Sequence, residues 1–218
     1  MHRTIILTIL TMALTAIAAS PTAAQAPATP QKSSADCFPG VGKYMSLTVE
    51  QFDQTLGKGW REVAHQPGCE LAAADLIAFY RAHRIAEWEA GLEWHEAQLR
   101  AMNGQTAQAL DLFRKQVAIE ASLHNDADRL YGEATIAFLE HDRKALMTAR
   151  AELAGLPKPD GFEIGVAKFK EQYPTQPPPT WPSNLDTVDG LINCFDKPYA
   201  RAYEFACRAA DRLTPAAR

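Results

Sequence analysis

Leu92-Glu93-Trp94-His95-Glu96-Ala97-Gln98-Leu99-Arg100-Ala101-Met102-Asn103-Gly104-Gln105-Thr106-Ala107-Gln108-Ala109-Leu110-Asp111-Leu112-Phe113 decides the fold. Counting from Trp88, the row Trp88, Leu92, His95, Leu99, Met102 steps by four and three residues in turn and so stays on one face of an α-helix. Ala90, Trp94, Ala97 and Ala101 make a second face of mostly small residues. A helix with two packing faces sits between neighbours on both sides. Gly104 ends it, and Leu110, Phe113, Val117 and Ala121 define the next helix.

The same reading extends outward in both directions. None of the 14 prolines falls between Pro67 and Pro157, and that span is punctuated by Gly91, Gly104, Gly132 and Gly155. Upstream, Leu71 to Arg84 sets Ile77, Tyr80 and Arg84 in one row. Downstream, Leu130, Ala134, Ala137 and Phe138 mark one helix, and Leu146, Ala149 and Leu153 another. Composition agrees. After residue 24 there are 32 Ala and 17 Leu against six Val and six Ile, a balance that favours helix over strand. The expected class is all-α: stacked antiparallel helical hairpins with a C-terminal helical cap.

The stretch from Met102 to Phe113 resembles the interhelical turn and second helix of a tetratricopeptide repeat. Ala97, Gly104, Ala109 and Phe113 occupy its small, turn, small and aromatic positions. Glu93, Glu96, Arg100 and Gln116 depart from the motif. Leu130 to Leu153 is similar in outline, with Ala134 and Ala145 near the small positions, although its turn Glu140-His141-Asp142 reads as one residue short and has no glycine. The resemblance covers Leu92 to Leu153, under a third of the chain. It implies a concave surface carrying Trp94, Gln98, Ala101 and Met102, which would receive an unknown protein or peptide partner. The competing use of Trp94 is packing against the preceding hairpin.

The flanks differ in character. Residues 1–24 read as a signal peptide: Arg3 is followed by an uncharged run from Ile5 to Ala19. At 1.5 Å per residue that run is about 22 Å long, short of the roughly 30 Å apolar core of a bilayer. Cleavage is expected after Ala24, with Ala18 as the alternative, and an uncleaved anchor is the other reading of the segment. Residues 25–36 form a flexible mature N-terminus rich in Ala, Pro, Ser and Thr. A single all-α domain then runs over residues 37–213: a lead-in at 37–68, the hairpin stack at 69–156, a short helix and proline-rich connector at 157–182, and a helical hairpin at 183–213. Thr48-Val49-Glu50-Gln51 resembles a capping box that opens a helix reaching Leu56. Pro198 is placed as a first helical residue, followed by Tyr199, Ala202, Tyr203 and Ala206.

Four cysteines in an exported chain imply two disulfides. Three pairings are open, and the local one, Cys37–Cys69 with Cys194–Cys207, is expected. The second bridge carries a condition. If Cys194 ended one helix and Cys207 lay well inside the next, an antiparallel hairpin would hold them too far apart along the axis. Cys194 must then be non-helical, or the two helices strongly crossed. The expected place is periplasmic or secreted.

Several chemistries are excluded or weak. The 22 basic and 26 acidic side chains leave a formal charge of −4, without the basic patch that nucleic-acid binding demands. There is no G-x-S-x-G elbow. Phe38-Pro39-Gly40-Val41-Gly42-Lys43-Tyr44 lacks the spacing and the Ser/Thr of a phosphate loop. His95-Glu96 begins like a zinc-protease helix, but Leu99 stands where the second histidine belongs. His95 reads as a boundary histidine with a hydrogen-bond partner, His83–Glu87 as a surface pair, and Glu89, Glu93, Glu96 and Arg100 as a charged helix face with Glu96 paired to Arg100. No catalytic residue, cofactor or metal is implied. The expected function is an exported interaction module or scaffold of the cell envelope. The alternative is an exported enzyme or small-ligand binder whose site is assembled from scattered His, Glu and Trp residues.

Overall fold

The computed structural model describes residues 30–84 and 90–208. The signal-peptide assignment, Glu87, Trp88, Glu89 and the last ten residues lie outside that range. Every regular element among the described residues is helical. Three short pieces open the chain: α1 (Ser34–Cys37), α2 (Gly42–Met45) and a π-helical turn (Glu50–Gln54). They lead to α3 (Trp60–Ala64) and the long helices α4 (Glu70–Arg84), α5 (Ala90–Met102), α6 (Thr106–Ser122), α7 (Asp126–Leu139) and α8 (Arg143–Ala154). Then follow α9 (Phe162–Gln172), α10 (Leu185–Asn193), α11 (Tyr199–Ala202) and α12 (Phe205–Arg208).

The capping box forms as expected. Gln51 N–H donates to Thr48 Oγ1, and Thr48 N–H donates to Gln51 Oε1. The element it opens is shorter than expected and π-helical, ending at Gln54, and Leu56 is exposed. Its wide turn is closed by Thr55 N–H on the Glu50 carbonyl.

From α4 to α8 each helix packs on the next. The three links after α5, α6 and α7 repeat one geometry. Gly104, His124 and His141 each take the left-handed conformation at φ 80°, 55° and 57°. In each link the following N–H reaches back five residues: Gln105 to Arg100, Asn125 to Glu120, and Asp142 to Ala137, at 2.9, 3.0 and 2.8 Å. This Schellman closure satisfies the last carbonyls of one helix while the chain turns into the next. The Glu140-His141-Asp142 turn is therefore as long as its glycine-containing counterpart, not one residue shorter. Histidine simply occupies the position where glycine would be unstrained.

α5 uses its two faces as its spacing suggests. Leu92 and Leu99 enter one core with Phe52, Trp60, Val63, Leu76, Ile77 and Tyr80. In that core the Phe52 and Tyr80 rings stack at 3.9 Å, and Tyr80 Oη donates to the Leu47 carbonyl. Ala97 and Ala101 enter a second core with Phe113, Leu130, Phe138, Leu146 and Leu153. Met102, counted with the first row, packs against this second core instead.

The charged face of α5 contains the expected Glu96–Arg100 pair, and it is closed off from water. Glu93, Glu96 and Arg100 are buried. Arg81 of α4 bridges Glu93 at 2.8 Å and Glu96 at 2.7 Å, while Arg100 holds Glu96 at 2.8 Å and Asp75 at 3.1 Å. The polar residues that interrupt the repeat pattern thus weld α4 to α5.

Both disulfides have the local pairing, Cys37–Cys69 and Cys194–Cys207, with Cα separations of 5.6 and 5.9 Å. The geometric condition on the second is met because Cys194 lies outside α10, at φ −116° and ψ 35°. The helix expected after Pro198 is broken into α11 and α12, which brings Cys207 back over α10. This C-terminal unit covers α7 and α8 through α10, and α5 through α11. Trp181 packs against the same core, and its Nε1–H donates to the Leu156 carbonyl. By contrast α9 buries none of its residues and stands at the periphery.

Candidate functional site

The N-terminal half of α5 separates two polar constellations, and Gly91 borders both. On one side a cavity of about 250 Å³ opens between α5, α6 and α7. Trp94 and Tyr131 wall it, Gln116 and Glu120 come from α6, Asp128 from α7, and Asn184 from the segment ahead of α10. Glycine at 132 lets α7 close on Val117 of α6 beside Trp94. A Cβ there would collide with Val117 and touch the indole. The Trp94 ring packs at 4.7 Å from Phe113 and 4.8 Å from Tyr131.

The polar wall is unusual in its bookkeeping of donors. Glu120 is only 6% exposed, and its carboxylate accepts from two neutral amides, Gln116 Nε2 and Asn125 Nδ2. Because a carboxylate only accepts, the Gln116 amide must point its nitrogen at Glu120. Its Oε1 is left buried and without a donor. The Asn125 nitrogen also donates to Asp128 at 2.8 Å, which draws the second carboxylate to the same place. Asn184 holds the left-handed conformation at φ 63°, and its side chain does not cap α10. Burial pushes the Tyr131 phenol far above its ordinary range, so it stays neutral.

On the other side lies a buried carboxylate, Asp53, 3% exposed. It accepts from Trp60 Nε1 at 2.7 Å and from His95 Nδ1 at 2.8 Å, with Arg61 at 3.4 Å. Gly59 makes the approach possible, since any Cβ at its φ of 57° would strike the Phe52 carbonyl. Burial alone would raise the Asp53 carboxyl, but the hydrogen bonds from His95 and Trp60 and the Arg61 charge outweigh it and hold it below its ordinary value. The carboxylate fixes a proton on His95 Nδ1 and orients the half-buried ring, which packs 5.0 Å from Trp60.

The residues expected to contact a partner are distributed unequally. Trp94 lines the cavity. Gln98 donates to Tyr203 Oη at 3.0 Å and lies under the C-terminal unit. Ala101 is buried, and Met102 packs on the second core. His95 has the hydrogen-bond partner its boundary position suggests. The sequence reading did not single out Asp53, Asn125, Asp128 or Glu120. For Gln116 a signal existed, because it broke the repeat pattern on a face that otherwise reads as apolar. In comparisons with protein families, characterised proteins and solved structures, the chain matches none.

Proposed function

We propose that this chain is an exported, disulfide-stapled binding module of the cell envelope, built from tetratricopeptide-like hairpins over α5–α8, which receives a small group of its ligand or partner in the cavity between α5, α6 and α7. One observation carries this reading: an aromatic-walled cavity is lined by Gln116, whose buried acceptor Oε1 no described group satisfies. Buried polar atoms are nearly always paired, so an orphan on a residue that lines a cavity points to a group supplied from outside. Two disulfides suit an oxidising compartment, and no described helix is long and apolar enough to cross a membrane. Recognition by insertion is favoured over an extended peptide laid along a concave face, because Gln98 and Ala101 are covered by the chain itself.

A photo-crosslinking amino acid at Asn184, on the cavity wall, tests this. In envelope extracts the expected result is a discrete adduct that disappears with Trp94→Ala. Adducts indifferent to Trp94→Ala would sink the proposal. A second reading, an exported enzyme using His95 Nε2 as general base, draws on the Asp53–His95 hydrogen bond. In that case Asp53→Asn would abolish an activity while leaving the crosslink intact.

A further inference from the structure

We infer that the group this cavity takes is a cationic nitrogen, a primary ammonium or a guanidinium on a short stem. The inference rests on the cavity being the binding site and specifies the chemistry of its ligand. Three independent features of the wall agree on it.

The first is charge. Glu120 has no ion pair among the described residues, and its only partners are two neutral amides. It also sits in the last turn of α6, where the negative end of the helix dipole opposes a carboxylate. Asp128 adds a second negative group through the shared Asn125 nitrogen. Neither lysine nor arginine is among the lining residues. A buried carboxylate without a cation is costly to keep, and a ligand carrying the cation removes that cost.

The second is hydrogen-bond polarity. Gln116 Oε1 is a buried acceptor without a donor in a residue 3% exposed, and the Glu120 carboxylate beside it only accepts. The Gln116–Glu120 part of the wall therefore asks for N–H donors, while the wall's own donors sit on Trp94, Tyr131 and Asn184. An ammonium brings three donors and a guanidinium five, with no competing acceptor.

The third is the aromatic wall. Trp94 and Tyr131 present π-systems beside the carboxylates, and a cation near such rings gains further where water is excluded. At about 250 Å³ the space lies below the usual range of drug-sized sites and suits one charged head group with a few carbons. That head can belong to a free amine or to a Lys or Arg side chain of a presented peptide. A bare divalent ion fits less well, since it makes no use of the rings.

Thermal-shift and calorimetric titrations of the disulfide-bonded protein decide the matter, with n-butylammonium, N-methylguanidinium, n-butanol, calcium chloride and a short acetylated lysine peptide as probes. Expected results are a rise in Tm with the ammonium or guanidinium probe and none with butanol or calcium. Glu120→Gln should weaken that binding at least tenfold while raising the Tm of the unliganded protein, because it removes an uncompensated buried charge. A purely structural carboxylate predicts the opposite Tm change. Asp128→Asn, at the more exposed edge, should weaken binding with little effect on unliganded Tm. Binding of the peptide more tightly than the free amine assigns the nitrogen to a partner side chain, and the reverse order assigns it to a small molecule. If butanol binds as well as butylammonium and Trp94→Ala abolishes both, the cavity stands as a binding site and the cationic assignment falls. If calcium alone binds, or if Glu120→Gln lowers the unliganded Tm and leaves amine binding intact, the assignment also falls. A silent titration with every probe, together with crosslinks from Asn184 that ignore Trp94→Ala, overturns both readings.

Discussion

At the scale of single residues, Asp53 is the most constrained carboxylate that the chain holds. Trp60 Nε1, His95 Nδ1 and Arg61 all point at one oxygen. Asp53→Ala should cost about 1–3 kcal/mol, since the buried Trp60 N–H and the half-buried His95 lose their acceptor together. Urea denaturation would measure it, and a change under half a kilocalorie would contradict the network. The pH dependence follows from the direction of the shift. The folded carboxyl lies below its unfolded value, so its contribution is complete above the unfolded pKa of about 3.9 and is lost as pH falls through the lower folded value. Asp53→Asn should therefore flatten the acid limb of the stability profile below about pH 4 and leave the shape near neutrality unchanged. Little of this was legible in the sequence. His95 on an apolar row announced that it needed a partner, but the partner lies 42 residues away in a segment with no periodicity to read.

At the scale of elements, the three Schellman links explain how α5 to α8 are joined by connections of equal length with different residues. His124 pays the left-handed strain that Gly104 avoids, and it is exposed with no ring contact to keep it there. His124→Gly should stabilise the chain by roughly 1 kcal/mol, the cost of a non-glycine residue in that conformation. A lower Tm for the variant would refute the assignment of strain. His141 is a less clean probe because its ring also meets Phe195. Between helices, Arg81 is the keystone of the α4–α5 contact. Arg81→Met should destabilise by about 3 kcal/mol, because Glu93 would lose its bridge to α4 and Glu96 would keep only Arg100. The Glu96–Arg100 pair was legible at its i, i+4 spacing, but the burial of that face against Arg81 was not. A charged row on one helix reads identically whether it faces water or an arginine from the neighbouring helix, and periodicity carries no information about what stands opposite.

At the scale of the whole molecule, two cores meet across α5 and each is closed by one disulfide. Cys37–Cys69 ties the lead-in to the start of α4, and Cys194–Cys207 ties α10 to α12, which flank the second core. The loops span 32 and 13 residues, for which chain-entropy reasoning predicts roughly 3–4 kcal/mol per bridge. Replacing Cys194 and Cys207 together by alanine should lower stability by about that amount and loosen the cover over α7 and α8 first. Hydrogen exchange would show the loss confined to α10–α12, whereas uniform deprotection would mean that the cover and the helices beneath it unfold as one. The cover also decides what the helical run can bind, because it takes Gln98 for its own Tyr203 and leaves the cavity beside Trp94.

What the sequence by itself determined is everything governed by local period and local chemistry. That includes the helical class, the places of α4 to α8, the capping box at Thr48 and the double-faced character of α5, while the local cysteine pairing was one of three that the sequence left open. A helix repeats every 3.6 residues whatever surrounds it, so its apolar rows can be counted along the chain. Tertiary structure alone decided which polar residues were compensated. Glu96 and Glu120 are both carboxylates on amphipathic helices, and although Arg100 at i+4 offers Glu96 one partner, nothing along the chain shows that Arg81 supplies a second or that Glu120 faces a cavity. The first meets two arginines and becomes mortar between helices. The second meets only amides and faces a cavity, because the energy of a charge depends on what stands within a few ångströms of it, and that is set by how distant segments pack.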